Sequence, residues 1–266
     1  MTAAYQAETA QRSRDLLRLH LLVPTRENAS PGAFFNFLIH KAVEGGWTFD
    51  WTAALEYWGD LARTGMIALL GGGEARHGQA LFILTAHGHR VLSAQAPSPS
   101  DRSGFMAALR RRAPSADPIS LVYLEEALGA WHAGLFRATV VMAGCACERL
   151  ILALAETVRD VSIVPFSEKI AKMLAPPKPA GASLIFEQVR GALAAVAEDG
   201  RVAGDLADAL DRKLTSTFEH TRGLRNRSGH PTGDAVSAEE ALGVLTLFGD
   251  YCAFATGWRD ALMKLT

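Results

Sequence analysis

From Ile119 onward the apolar residues recur at spacings of three and four, and this periodicity limits the chain to packed helices over more than half its length. Leu121, Leu124, Leu128, Trp131 and Leu135 set one stripe against a core, and Gly134 ends that helix. The next helix, about Phe136 to Val158, carries Ala, Gly and Cys on several sides. Small residues let neighbours approach closely, so this helix is expected at the centre of a bundle. A third steps through Leu206, Leu210, Leu214, Phe218, Thr221 and Leu224. Ser237-Ala238-Glu239-Glu240 reads as a capping box opening a fourth, with Leu242, Leu245, Phe248 and Cys252 on its inner face. Shorter helices near Ser167 to Leu174 and Ser183 to Glu198 flank Pro176-Pro177-Lys178-Pro179, which cannot stay helical, and read as peripheral cover.

Residues 96–116 have turn and breaker chemistry at both ends, Pro97 and Pro99 on one side and Pro114 on the other, with a short amphipathic piece between them. They read as a linker between a domain over 1–95 and a helical domain over 117–266. Arg110-Arg111-Arg112 inside it reads as a solvated patch, with RNA contact as the alternative. Upstream, Pro31 to Glu44 suits a helix ended by Gly45-Gly46, and Asp50 caps a second running to Arg63, ended by Thr64-Gly65. Met66 to Leu70 and Ala80 to Leu84 read as a hairpin with a loose tip at Gly71-Gly72-Gly73, after which Thr85 caps a helix from Ala86 to Ser93.

This order of helix, helix, hairpin and helix resembles the winged helix-turn-helix fold, and Leu84 to Leu92 is similar to the segment following the wing. Winged helices often read DNA with their second helix. Here that helix carries Asp50, Trp51, Thr52, Glu56, Tyr57, Trp58 and Asp60, with Arg63 as its one cation. Such a face meets phosphate poorly, and its aromatics read as core or protein-contact residues. His87 and His89 have no Cys or carboxylate at ligand spacing, so no metal is expected there.

The net charge of -1 argues against a protein that coats nucleic acid over a broad surface. Residues 117–266 hold fifteen Lys or Arg against nineteen Asp or Glu, so a polyanion must be met locally. Cys145, Cys147 and Cys252 read as reduced core residues. No basic segment leads into an apolar run at the N-terminus, and Glu148 and Arg149 interrupt the most apolar stretch, so a cytoplasmic protein without membrane contact is expected.

The local exception is Leu224-Arg225-Asn226-Arg227-Ser228-Gly229-His230-Pro231, where the third helix runs into a permanent cation, an amide and an imidazole. Arg225 and His230 are five residues apart, about 140° on a continuous helix, so one helical face cannot present both. Gly229 releases the helix, and His230, preceding Pro231, is pushed toward extended backbone. An Arg fork holds a phosphate through two hydrogen bonds, and an imidazole exchanges protons near neutral pH. Those are the needs of metal-free RNA cleavage, in which the 2'-hydroxyl attacks the adjacent phosphorus. An Arg and a His at a helix C-terminus also serve simply as a cap on its dipole.

The pattern Arg-Asn-x-x-x-His lies between the third and fourth long helices. The opening pair carries Tyr123-Leu124-Glu125-Glu126-Ala127, Trp131 to Val141 and Cys147-Glu148-Arg149-Leu150. Over about residues 117–260 the chain resembles the HEPN family of all-helical, nucleotide- and RNA-associated domains. The resemblance implies a fold of a winged helix followed by a HEPN-like four-helix bundle. It implies a metal-independent endoribonuclease without a cofactor, a toxin or anti-phage effector, whose homodimer builds one composite cleft. Arg225 then holds the phosphate, His230 transfers the proton and Asn226 orients the site. Pro231 and Thr232 stand where members regulated by a nucleotidyltransferase carry a Tyr. Arg222 and Arg227 extend the RNA track or are ordinary solvated arginines, and Glu148 reaches the motif as part of the substrate site or as an internal ion pair. The rival reading is a transcription regulator, in which the winged helix binds DNA or a protein and the helical domain dimerises or binds a nucleotide.

Overall fold

Side chains that bond free backbone N–H groups decide where the helices begin. The structure is a computed structural model that describes residues 3–23, 30–70, 81–94, 98–175, 180–230 and 234–265. In it, Ser30, Asp50, Thr85, Asp117 and Ser237 each accept a hydrogen bond from the N–H three residues on, capping the helices that follow. The protein is mainly helical, with one two-stranded antiparallel sheet among the described residues. It divides into two compact units, Met1–Ala108 and Leu109–Thr266.

The first unit contains α1 (Ala3–Leu21), α2 (Pro31–Glu44), α3 (Trp51–Arg63), β1 (Ile67–Leu70), β2 (Leu81–Leu84) and α4 (Ala86–Ser93). The strands pair Ile67 with Leu84 and Leu70 with Leu81. The α3 aromatics face inward: Tyr57 is buried, and Trp58 sets its ring edge-on to Phe82 at 4.8 Å. Gly88 lies where a Cβ would meet the Met66 carbonyl oxygen at 2.2 Å, so α4 closes onto the hairpin only with glycine there. Helix α1 is absent from the sequence reading because its inward stripe is narrow and partly polar. Ser13 and Leu17 are fully buried, and Ser13 Oγ accepts the Asp50 N–H at 2.8 Å, so tertiary contact rather than apolar periodicity defines that face.

The segment expected as a solvated linker carries a packed helix, α5 (Arg102–Arg112). Phe105, Met106 and Leu109 are buried, Arg110 pairs with Glu125 at 2.5 Å, and Arg112 pairs with Asp250 at 2.5 Å. The apolar residues give the segment an inner face, and carboxylates answer two of the three arginines.

The second unit contains α6 (Pro118–His132), α7 (Phe136–Asp160), α8 (Phe166–Leu174), α9 (Ala182–Glu198), α10 (Gly204–Asp208), α11 (Ser216–Gly229) and α12 (Ala238–Met263). Helix α7 packs against α6, α8, α9, α11 and α12, with Val140, Ala143, Ala146, Ile151, Ala155 and Val158 fully buried. By length and composition α7 is apolar enough to cross a membrane, and here most of that stretch is covered by the surrounding helices. Helix α9 is core rather than the expected peripheral cover: Ile185, Phe186, Val189, Ala192 and Leu193 are fully buried, and Phe186 stacks on Phe218 at 4.2 Å. A break in sequence at Pro176 to Pro179 says nothing about distance in space. Leu135 leaves the α6 stripe and is 59% exposed, because Gly134 takes φ 74° and turns the chain. The expected single third helix is α10 and α11 joined through Leu210–Thr215, one wider i→i+5 turn. The expected hairpin tip at Gly71 to Gly73, the Pro176 to Pro179 interruption, and Pro231 with Thr232 lie outside the described residues.

One partly buried charge cluster ties α6 to α7. Arg149 donates to both Asp117 oxygens, at 3.1 and 2.9 Å, and to Glu156 at 3.0 Å. Burial alone would raise the Asp117 carboxyl. The Arg149 hydrogen bond, the Ser120 N–H and the Arg149 and Arg259 charges outweigh it and hold the pKa below its usual value. A carboxylate with a lowered folded pKa stabilises above its unfolded pKa of about 3.9, and that stabilisation is lost as pH falls through the folded value. Asp117→Asn keeps the helix cap and removes the charge facing Arg149, which retains Glu156. The variant is expected to lose about 1–3 kcal/mol at pH 7, less than for a pair with no second partner. In urea unfolding the gap to wild type should narrow below about pH 4; a gap independent of pH would refute the ion-pair account.

Candidate functional site

Arg137, Val141, Gly144 and Glu148 recur at spacings of four, three and four along one stripe of α7. Helix α11 lies against this stripe in the opposite direction. Thr221 sits beside Cys147, Arg225 crosses Gly144, and Ser228 faces the level of Val141 and Met142. At the crossing a Cβ on Gly144 would come within 2.6 Å of Arg225 Cγ and 2.7 Å of its Cβ. The glycine therefore lets the Arg225 stem lie directly on the α7 backbone.

The guanidinium is then gripped from two sides. Arg225 Nη2 donates to Glu148 Oε2 at 3.2 Å, and Nη1 donates to Asn226 Oδ1 at 3.1 Å. The Arg225 side chain is 36% exposed and the Glu148 side chain 20%. A guanidinium has more donors than these two bonds use, so a fixed, partly open cation remains available to an anion. Asn226 and Glu148 orient it.

Gly229 is the last residue of α11, and His230 follows in extended backbone at φ -90° and ψ 144°. Its N–H donates to the Asn226 carbonyl at 3.2 Å, and among the described residues its imidazole has no hydrogen-bond partner. The structure thus unites Arg225, Asn226 and Glu148, and holds His230 beside them through the main chain only. Arg222 and Arg227 are engaged elsewhere, with Glu219 at 2.8 Å and Glu240 at 2.5 Å. The Arg227 pair links the end of α11 to the first turn of α12.

Neither buried thiol is poised as a nucleophile. Burial pushes Cys147 well up and Cys252 up to about 11. The three cysteines are unpaired, and among the described residues no cluster of His, Cys, Asp or Glu is arranged to hold a metal.

Next to the motif lies an open groove of about 730 Å³, lined by the first turn of α7 with Val141, Met142, Ser228, Ala235 and Val236. Gly144 and Ser228 were not singled out in the sequence. Gly144 stands four residues before Glu148 on one helical face, a spacing that pairs the two; nothing in the sequence marks Ser228. Comparison with protein-family models, curated proteins and solved structures finds no match for the chain.

Replacing a mid-helix glycine by alanine ordinarily stabilises by about 0.5–1 kcal/mol. Gly144→Ala should do the opposite, because overpacking against Arg225 costs about 1–3 kcal/mol. A lowered thermal midpoint is expected, and a raised one would contradict the close approach.

Proposed function

We propose that the chain is a metal-independent endoribonuclease of HEPN type in which Arg225 and His230 act on an RNA phosphodiester. The reading is carried by one observation: a half-open guanidinium, seated on Gly144 and oriented by Glu148 and Asn226, stands five residues before an exposed imidazole that follows the helix end in extended backbone. In the proposed reaction the 2'-oxygen bonds to phosphorus as the P–O5' bond breaks. One imidazole takes the 2'-hydroxyl proton and another protonates the departing 5'-oxygen. Arg225 offsets charge on the non-bridging oxygens. Each chain brings one such His, so the reading calls for a homodimer with two motifs facing one cleft.

The winged-helix reading of the first unit is proposed on the order α2, α3, hairpin, α4. Tyr57 is buried and Trp58 packs against Phe34, Phe35 and Phe82, so those aromatics support the domain rather than contact DNA. Glu56 is exposed on α3, and the one cation of the helix, Arg63, is already paired with the buried Asp60, which favours a protein partner for this unit over duplex DNA.

The test is cleavage of end-labelled single-stranded RNA in EDTA. Wild type should produce fragments ending in a 2',3'-cyclic phosphate. Arg225→Ala and His230→Ala should each be slower by a factor of about 100 or more. An RNA with 2'-deoxyribose at the cut position should be left intact. Cleavage that survives both substitutions would remove the mechanism.

A further inference from the structure

The first unit holds a cavity of about 190 Å³ between the start of α1 and the chain leading into α3. Tyr5, Gln6 and Thr9 line it from α1, and Thr48, Phe49 and Asp50 from the segment before α3. Sites for nucleotides and other cofactors run to roughly 300–1,000 Å³, so this one takes a single small group. Its walls are mainly apolar, and two of them are aromatic. Phe49 packs against the apolar core of the unit, with the Trp47 ring 6.5 Å from its own. Tyr5 is 44% exposed and leaves its ring open at the surface.

The polar groups of the lining decide which charge it favours. The start of a helix such as α3 ordinarily attracts an anion. Asp50 already fills that place: its Oδ1 accepts the Ala53 N–H at 2.9 Å, and its own backbone N–H donates to Ser13 Oγ at 2.8 Å. Among the described residues the other carboxylate oxygen has no hydrogen-bond partner, and no Lys or Arg lines the cavity. Thr9 commits its only hydroxyl proton to the Tyr5 carbonyl at 2.9 Å, so its oxygen can only accept. A free carboxylate oxygen, an accepting hydroxyl and two aromatic rings around a small apolar space suit a cation with N–H donors, since ring faces also attract positive charge.

We propose that this cavity binds an alkylammonium group, the head of a lysine side chain on a polypeptide or of a small free amine. Asp50 pairs its charge, and the Tyr5 and Phe49 rings lie against it. Trp51 and Leu55, 44% and 43% exposed, follow Asp50 along α3 and offer a polypeptide apolar contact that a free amine does not use. The assignment lies wholly in the first unit and is independent of the ribonuclease reading.

Titration of the full chain with n-butylammonium and with n-butanol, its neutral counterpart of similar shape, tests the site through assigned amide resonances. At neutral pH n-butylammonium should shift Thr9, Thr48, Phe49 and Ala53 and bind about tenfold tighter than n-butanol. Asp50→Asn keeps the helix cap, because Asn caps as well as Asp, and should remove that preference. Tyr5→Leu should lower it about threefold. Equal affinity for the two ligands, an unaltered preference in Asp50→Asn, or shifts confined to other parts of the chain would overturn the proposal. A lysine peptide with flanking leucines separates the two sources. Binding about tenfold tighter than n-butylammonium, with shifts at Trp51 and Leu55, supports a polypeptide; binding no tighter, with no shift there, supports a small amine.

Discussion

The close approach of α11 to α7 at Gly144 is the contact on which the arrangement of the helical unit depends. Because no side chain stands there, the Arg225 stem lies on backbone, Thr221 reaches Cys147, and Ser228 reaches the level of Val141. The same small-residue character, with Ala143, Ala146, Ala153 and Ala155 all buried, lets α6, α9 and α12 surround α7. A helix enclosed on so many sides cannot hold an unanswered charge. Its two adjacent ionic residues are answered on different flanks: Arg149 by Asp117 and Glu156, and Glu148 by Arg225. One pair ties the bundle together at α6, and the other orients the candidate site.

Capping and phosphate binding are compatible at the end of α11. A cation in the last turn of a helix is favoured by the carbonyl-end dipole whether or not a ligand is present. Arg225 differs from its neighbours in its surroundings. Arg222 pairs with Glu219 three residues before it, and Arg227 bridges to Glu240, both as exposed surface pairs of small worth. Arg225 is fixed from two elements at once, and fixed donors stabilise developing charge more than mobile ones do.

Much of this was legible in the sequence because it depends on near neighbours. The caps at Asp50, Thr85 and Ser237, the ends at Gly45, Gly134 and Gly229, and the extended backbone of His230 all follow from a few consecutive residues. The candidate residues Arg225, Asn226, His230 and Glu148 were visible for the same reason, as chemistry grouped at a helix end or within one central helix. Helix α1 and the packing of α5 and α9 were not legible. Each owes its buried face to partners distant in sequence, such as Ser13 with Asp50 and Phe186 with Phe218.

By itself the sequence determined that residues from Ile119 onward form helices, that the most apolar of them is central, and that a cation, an amide and an imidazole gather where one helix breaks. These follow from hydrophobic periodicity and from backbone hydrogen bonding over a turn or two. Only the tertiary structure decided that Gly144 seats Arg225, that Glu148 grips it, and that an apolar groove opens next to the motif. Those depend on how closely two helices approach and in what register. Register is set by the fit of side chains some 80 residues apart, which no local pattern encodes.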